Sequence, residues 1–288
     1  MKKQMEWIDG IQNAVNYIEE HITDEFEPEE IARQAYSSSF HFQKIFRILC
    51  GYSLGEYIRN RRLALAGSEL STSNVKVIDA AIKYGYDSPD SFAKAFTRFH
   101  GITPSQAKES GAKLKSFAPL HIVLTLKGGT TMDYKIVEKK AFTVAGFERK
   151  FSFDSSYENI PKFWDEVFGK YCSSCKDSFT FGEYGICIDD INDGKNFNYI
   201  IAGVYDPAAE LPENSVTRDF PAATWAVFPC KGAMPKALQD LNTRIFSEWL
   251  PNCKDYEVAM ECTVEMYSMG DTNSEDYYSE IWIPVKKK

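Results

Sequence analysis

The chain lacks any apolar run near the roughly 18 residues that a membrane-crossing helix requires, so no membrane partner is expected. The lysines near its start are not followed by the apolar segment of a secretory leader, and a cytoplasmic protein is expected. Its seven cysteines are scattered and odd in number, which argues against a disulfide framework and for a reduced chain. Cys172 and Cys175 form a lone C-x-x-C, with no second pair and no nearby histidine, too little for a zinc site. A phosphate-cradling glycine loop, a dinucleotide glycine motif and a nucleophile elbow are all missing. No cofactor and no metal are therefore expected, and no enzyme is indicated.

What is present is a stretch that occurs twice. Ser38 to Gly51 returns as Ser88 to Gly101, with Phe42 matching Phe92, Lys44 matching Lys94 and Phe46 matching Phe96. Each phenylalanine pair is four apart, so each copy is a helix with one aromatic core face. The positions left facing out carry Gln43, Lys44 and Arg47 in one copy, and Asp90, Ser91, Lys94 and Arg98 in the other. A short apolar helix and a tight turn precede each copy, which is the outline of a helix-turn-helix. Between the copies, Ser53 and Glu56 form a capping-box pattern that opens a long helix to about Leu70. About 18 residues at roughly 1.5 Å each give a rod of about 27 Å, enough to hold two recognition helices one DNA turn apart. Arg59, Arg61 and Arg62 lie on that rod, either as phosphate contacts or as a solvated basic face. The chain carries a formal charge of −8, yet residues 31–115 hold 13 Lys and Arg against 6 Asp and Glu. A local positive surface of this kind can hold phosphates although the whole molecule is acidic.

After residue 131 the hydrophobic period changes from 3.6 to 2 and aromatic residues become dense. Residues 111–131 are expected as a linker with a short strand at 120–126. Beyond it the pattern reads strand, helix, strand, strand, and then the same again. The two helices are expected at 157–171 and 235–250. The fold class is thus multidomain: an all-α double helix-turn-helix, then an α+β domain of two pseudo-symmetric strand-helix-strand-strand repeats with a cleft between them. In the last strand, alternation puts Ile281 and Ile283 on the face that meets the helices. Tyr278, Glu280 and Trp282 then lie on the other. Glu265 and Tyr267 share a face in the preceding strand. A carboxylate among rings is costly unless a cation neutralises it, so such a face suits an amphipathic cation; a surface strand with an exposed glutamate is the plainer alternative.

The run GYSLGEYIRNRRLALA followed by AAIKYGYDSPDSFAKAFTRFHGITPSQAK resembles the DNA-binding domain of the AraC/XylS family of bacterial transcription regulators, over about residues 5–110. The resemblance implies double-stranded promoter DNA and RNA polymerase as partners. It also implies base contacts early in each recognition helix, at Phe40, Gln43 and Lys44 and at Asp90, Ser91 and Lys94. Gln43 suits adenine, the lysines suit guanine or phosphate, and Phe40 suits a thymine methyl. Asp90 either accepts from a cytosine amino group or caps its helix. The first copy is therefore expected to supply most of the base specificity and the second to sit on phosphates. IPKFWDEVF, ATWAVFPCKG and DYYSEIWIPV look like a GyrI-like effector-binding domain, over about residues 132–286, as in Rob-like proteins. That resemblance implies a small hydrophobic or cationic ligand, with Glu280 central and Trp164, Tyr184, Trp225, Glu265 and Trp282 lining one pocket. It leaves open a small-molecule hydrolase using Glu280, and a ligand-free protein-interaction module. The expected division is 1–110, 111–131 and 132–288.

Overall fold

The computed structural model describes residues 2–121, 131–171, 181–191 and 193–288, without the side chains of residues 2–8. The C-x-x-C at Cys172 and Cys175 and residues 122–126 of the expected short strand lie outside the described residues. Contacts divide the chain into two compact units, Met1–Thr125 and Leu126–Lys288.

The first unit is helical: α1 (Lys2–Glu20), α2 (Pro28–Gln34), α3 (Ser39–Cys50), α4 (Leu54–Thr72), α5 (Val77–Lys83), α6 (Pro89–His100) and α7 (Pro104–Ala107). Local chemistry sets the helix ends. The Ser38 hydroxyl accepts from the His41 amide at the start of α3, and Ser88 accepts from Ser91 at the start of α6. Ser53 and Glu56 form the expected capping box on α4. Gly51 and Gly101 close α3 and α6 in the left-handed region. The α4 rod serves two cores. Its first turns place Leu54 and Tyr57 against Phe42 and Phe46, with Val15 and Ile18 of α1. Its later turns place Leu63, Ala66 and Leu70 against Phe92 and Phe96. Each of those four phenylalanines is fully buried and contributes roughly 1.5–3 kcal/mol.

The stretch after α7, expected as part of a linker, is strapped onto this unit. Leu114 packs on the second core, and Phe117 and Leu120 on the first. The Lys115 amide donates to His100 Nδ1 at 3.1 Å, while His100 Nε2 meets the Leu63 carbonyl at 2.9 Å. A neutral imidazole satisfies both bonds, and burial holds its pKa below the ordinary histidine value.

The second unit is a single antiparallel sheet with helices on one face. Its strands are β1 (Lys135–Lys139), β2 (Phe142–Ser152), β3 (Tyr184–Ile188), β4 (Asn196–Val204), β5 (Val216–Phe220), β6 (Ala223–Lys231), β7 (Tyr256–Val258), β8 (Cys262–Tyr267) and β9 (Tyr278–Lys287). Helix α8 (Ser156–Tyr171) follows β2. Helix α9 (Lys236–Arg244) follows β6 and continues as a π-helical turn (Ile245–Trp249) and a short α10 (Leu250–Asn252). The sheet order is β1-β6-β9-β8-β3-β4-β2-β5, with β7 on β9. The two strand-helix-strand-strand units meet at the central β3–β8 pair. Two edge strands were not expected from the sequence, β5 and β7. Strand β5 pairs with β2 and strand β1 with β6, so each precedes one unit and borders the other.

Candidate functional site

In the helical unit the two recognition helices present different surfaces. On α6, Asp90, Ser91, Lys94 and Arg98 are all exposed. Ser88 supplies the cap, so Asp90 is not the capping residue; it sits in the first turn, where a carboxylate favours the positive end of the helix dipole. On α3 the expected readers are corrected. Phe40 is 1% exposed and Gln43 7%, with the Gln43 amide donating to the Ser39 hydroxyl at 3.0 Å. In this conformation neither can reach a base edge. Lys44 is half-buried, its ammonium 6.0 Å from the Phe40 ring. Arg47 is drawn to the Glu56 carboxylate at 2.9 Å, where it braces the start of α4. Arg61 is corrected as well. It is 8% exposed and grips Glu19 of α1 at 2.6 Å, with a further bond to the Phe117 carbonyl, so it pins the fold and is not a phosphate contact. Arg62 donates to the Ile22 carbonyl at 2.7 Å. Arg59 is the exposed arginine of the three.

In the second unit the sheet separates residues that were expected in one pocket. Directly paired residues of antiparallel strands point to the same side. Glu265 pairs with Ile281, whereas Met266 pairs with Glu280 and Val264 with Trp282. Glu280 and Glu265 therefore occupy opposite faces. Tyr184 pairs with Met266 and Trp225 with Pro284, which puts both on the Glu280 face. Lys135 and Lys139 of β1 join them through their pairing to Val227 and Ala223. Trp164 lies on the other side, on α8, with Glu265.

On its face, Glu280 is 6% exposed and already satisfied. The Tyr278 hydroxyl donates to Oε1 and the Trp282 indole to Oε2, each at 2.6 Å. The Lys135 ammonium stands 3.4 Å from Oε1, and that of Lys139 lies 3.7 Å from the centre of the Trp282 ring. Burial raises the Glu280 pKa, but the two donors and the Lys135 charge outweigh it and hold the carboxyl below the ordinary glutamate value. The Tyr278 phenol is pushed up to about 12 by burial and by the carboxylate it serves. Trp225 is fully buried in the apolar cluster with Val227, Val264 and Trp282, and is a core residue. Tyr184 is half-buried, its ring 5.5 Å from that of Trp282.

On the helix face Glu265 is half-buried and differently placed. Tyr267 donates to Oε2 at 2.8 Å, and Tyr199 approaches the same oxygen at 3.5 Å, the outer limit of a hydrogen bond. The Trp164 indole donates to the Tyr199 hydroxyl at 3.0 Å, and its ring stands 5.3 Å from Tyr267. Among the described residues no donor meets Oε1, and no lysine or arginine pairs with the carboxylate. Burial and the Glu265 charge raise both phenols well above the ordinary tyrosine value, so both keep their protons. Gly185 makes this approach possible: a Cβ there would meet the Tyr199 hydroxyl at 2.2 Å. Tyr199 and Gly185 were not singled out from the sequence. The signal was present in the alternation of NFNYIIAGV, but only the register of β3 and β4 joins it to Glu265.

Residues 135–285 match the family described as Cass2, integron-associated effector binding protein, and residues 31–110 match a helix-turn-helix domain family. Over 95 residues the chain is 43% identical to the HTH-type transcriptional activator AarP of Providencia stuartii, covering 33% of this chain and 70% of that protein. The chain belongs to the AraC family of DNA-binding transcription regulators and carries a Cass2, GyrI-like effector-binding domain. The same helical region of this AraC-family regulator is 38% identical to the regulatory protein SoxS of Salmonella typhimurium, over 33% of this chain and 89% of that protein. Its second unit is similar to the solved structure of SAV2435 bound to tetraphenylphosphonium, at 26% identity, 54% of this chain, 94% of that chain and a TM-score of 0.46. Among the described residues, no helix of the regulator is long and apolar enough to cross a membrane.

Proposed function

We propose that this regulator binds a small hydrophobic cation at Glu265 and that the bound cation changes its promoter binding, its contact with RNA polymerase, or both. The observation that carries the reading is a half-buried carboxylate beside Trp164, Tyr199 and Tyr267, with one oxygen lacking a donor among the described residues. An unneutralised carboxylate in such surroundings gains most from a cation that can also lie against rings. Glu280, expected as the central acid, is a weaker candidate because Tyr278, Trp282 and the paired Lys135 already satisfy it. On the DNA side, Lys44 of α3 and Asp90, Ser91, Lys94 and Arg98 of α6 form the contact set. Phe40 and Gln43 enter it when the covered side of α3 opens.

Run-off transcription and footprinting on selected genomic fragments, with and without tetraphenylphosphonium, test the reading. A footprint over two adjacent major-groove segments, and a cation response lost in Glu265→Gln, are expected. Binding without sequence preference, or a response that survives Glu265→Gln, would contradict it. Lys94→Ala is expected to weaken DNA binding at all sequences and lower the salt slope by about one. In the same footprinting assay, Gln43→Ala leaves the sequence preference unchanged if α3 stays closed on DNA, and alters it if α3 opens.

A further inference from the structure

The face opposite the Glu265 cluster has the reverse electrostatic character. Lys135 and Lys139 stand against a single carboxylate, Glu280, whose two oxygens are taken up by Tyr278, Lys135 and Trp282. The Lys139 ammonium has no carboxylate within ion-pair distance among the described residues; it rests on the Trp282 ring at 3.7 Å. The Trp225 indole N–H is fully buried and meets no acceptor among the described residues. The Tyr184 hydroxyl likewise has no hydrogen-bond partner among the described residues. An ammonium and a phenol thus stand on one sheet face without an acceptor to share among the described residues. The rings of Trp282, Tyr184 and Trp225 lie together, with centres 5.5 and 6.3 Å apart at the two Trp282 contacts. Lys139, Val137, Tyr184 and Met266 are partly exposed, while Trp225, Trp282 and Glu280 on the same face are buried.

We propose that this face is a second binding site, for an aromatic carboxylate whose ring packs beside Trp282 and whose anionic end is held by the Lys139 ammonium with the Tyr184 hydroxyl. The Lys139 side chain occupies the place over Trp282 that a cationic ligand would take, so the site selects against cations. Burial, with the neighbouring Lys135 charge, depresses the Lys139 pKa against the pull of Glu280. An arriving carboxylate relieves that cost. The site is independent of the Glu265 reading, from which the sheet separates it.

Isothermal titration of the full chain with 1-naphthoate, 1-naphthamide and 1-naphthylmethylammonium tests this. The naphthoate is expected to bind saturably at one per chain, and the amide and the ammonium about tenfold or more weaker, the difference of one charge-assisted contact. Lys139→Met should lower naphthoate affinity about tenfold, and Tyr184→Phe, which keeps the ring and removes the hydroxyl, about threefold to tenfold. Glu265→Gln should leave it unchanged. Absence of saturable naphthoate binding, equal affinity for the amide in the wild-type chain, or loss of binding in Glu265→Gln would each overturn the proposal. The amide comparison needs no variant, so it decides the matter even where a substitution disturbs folding.

Discussion

Two glutamates on neighbouring strands, each with an aromatic residue two positions on, end in opposite electrostatic situations. Glu280 is enclosed by two donors and Lys135 from its own chain. Glu265 keeps one oxygen without a donor among the described residues and no cation beside it. The difference arises from one strand. Strand β1 pairs with β6 and carries Lys135 and Lys139 to the Glu280 face, while the helix face receives α8 and its Trp164 in place of a lysine. A carboxylate satisfied from within stabilises the fold; one left short is a place for something to bind.

The largest effect is expected from making one face imitate the other. Glu265→Lys places an ammonium among the rings of Trp164 and Tyr267, and tetraphenylphosphonium affinity should fall about a hundredfold or more, as read by tryptophan fluorescence titration. Retained affinity would break the comparison at its root. Glu280→Gln should instead cost stability. Losing charge-assisted bonds from Tyr278, Trp282 and Lys135 destabilises the second unit by about 1–3 kcal/mol in urea unfolding, with cation affinity within about twofold of wild type. A stable Glu280→Gln protein that no longer binds the cation would reverse the two roles. Trp164→Leu removes one ring and its donor to Tyr199; a loss of about 0.5–2 kcal/mol in cation binding is expected.

The smallest effect is in pH. The Glu280 carboxyl is held below its ordinary value, so its stabilisation is fully present above the unfolded pKa of about 4.3 and is lost as pH falls through the lower folded value. The stability gap between wild type and Glu280→Gln should therefore be constant above about pH 5 and narrow below about pH 4. A gap that widens in acid would mean the carboxyl is not held ionised.

Much of the fold was legible because local chemistry and period agreed. The phenylalanine spacing, the Ser53–Glu56 box and the closing glycines fix α3, α4 and α6 from within each segment. Edge strands were not legible: two of the five residues of VTRDF in β5 are charged, and it becomes a strand only because β2 offers it a ladder. The site was half legible. Alternation placed Glu280 with Trp282 and Glu265 with Tyr267, correctly in both cases. What no single strand contains is the β8–β9 register, which puts Glu265 opposite Ile281 and so divides the expected pocket. Arg61 was misjudged for the same reason. Its partner Glu19 is distant in the chain, and only packing brings them to 2.6 Å. Phe40 and Gln43 show the converse limit, since their helical positions suggest outward faces that are covered in this conformation.

The most direct test is calorimetric titration of the full chain with tetraphenylphosphonium, comparing Glu265→Gln with Glu280→Gln. The expected result is binding reduced about tenfold to a hundredfold in Glu265→Gln and close to wild type in Glu280→Gln. Wild-type affinity in Glu265→Gln, together with loss in Glu280→Gln, would contradict the assignment of the cation to the helix face.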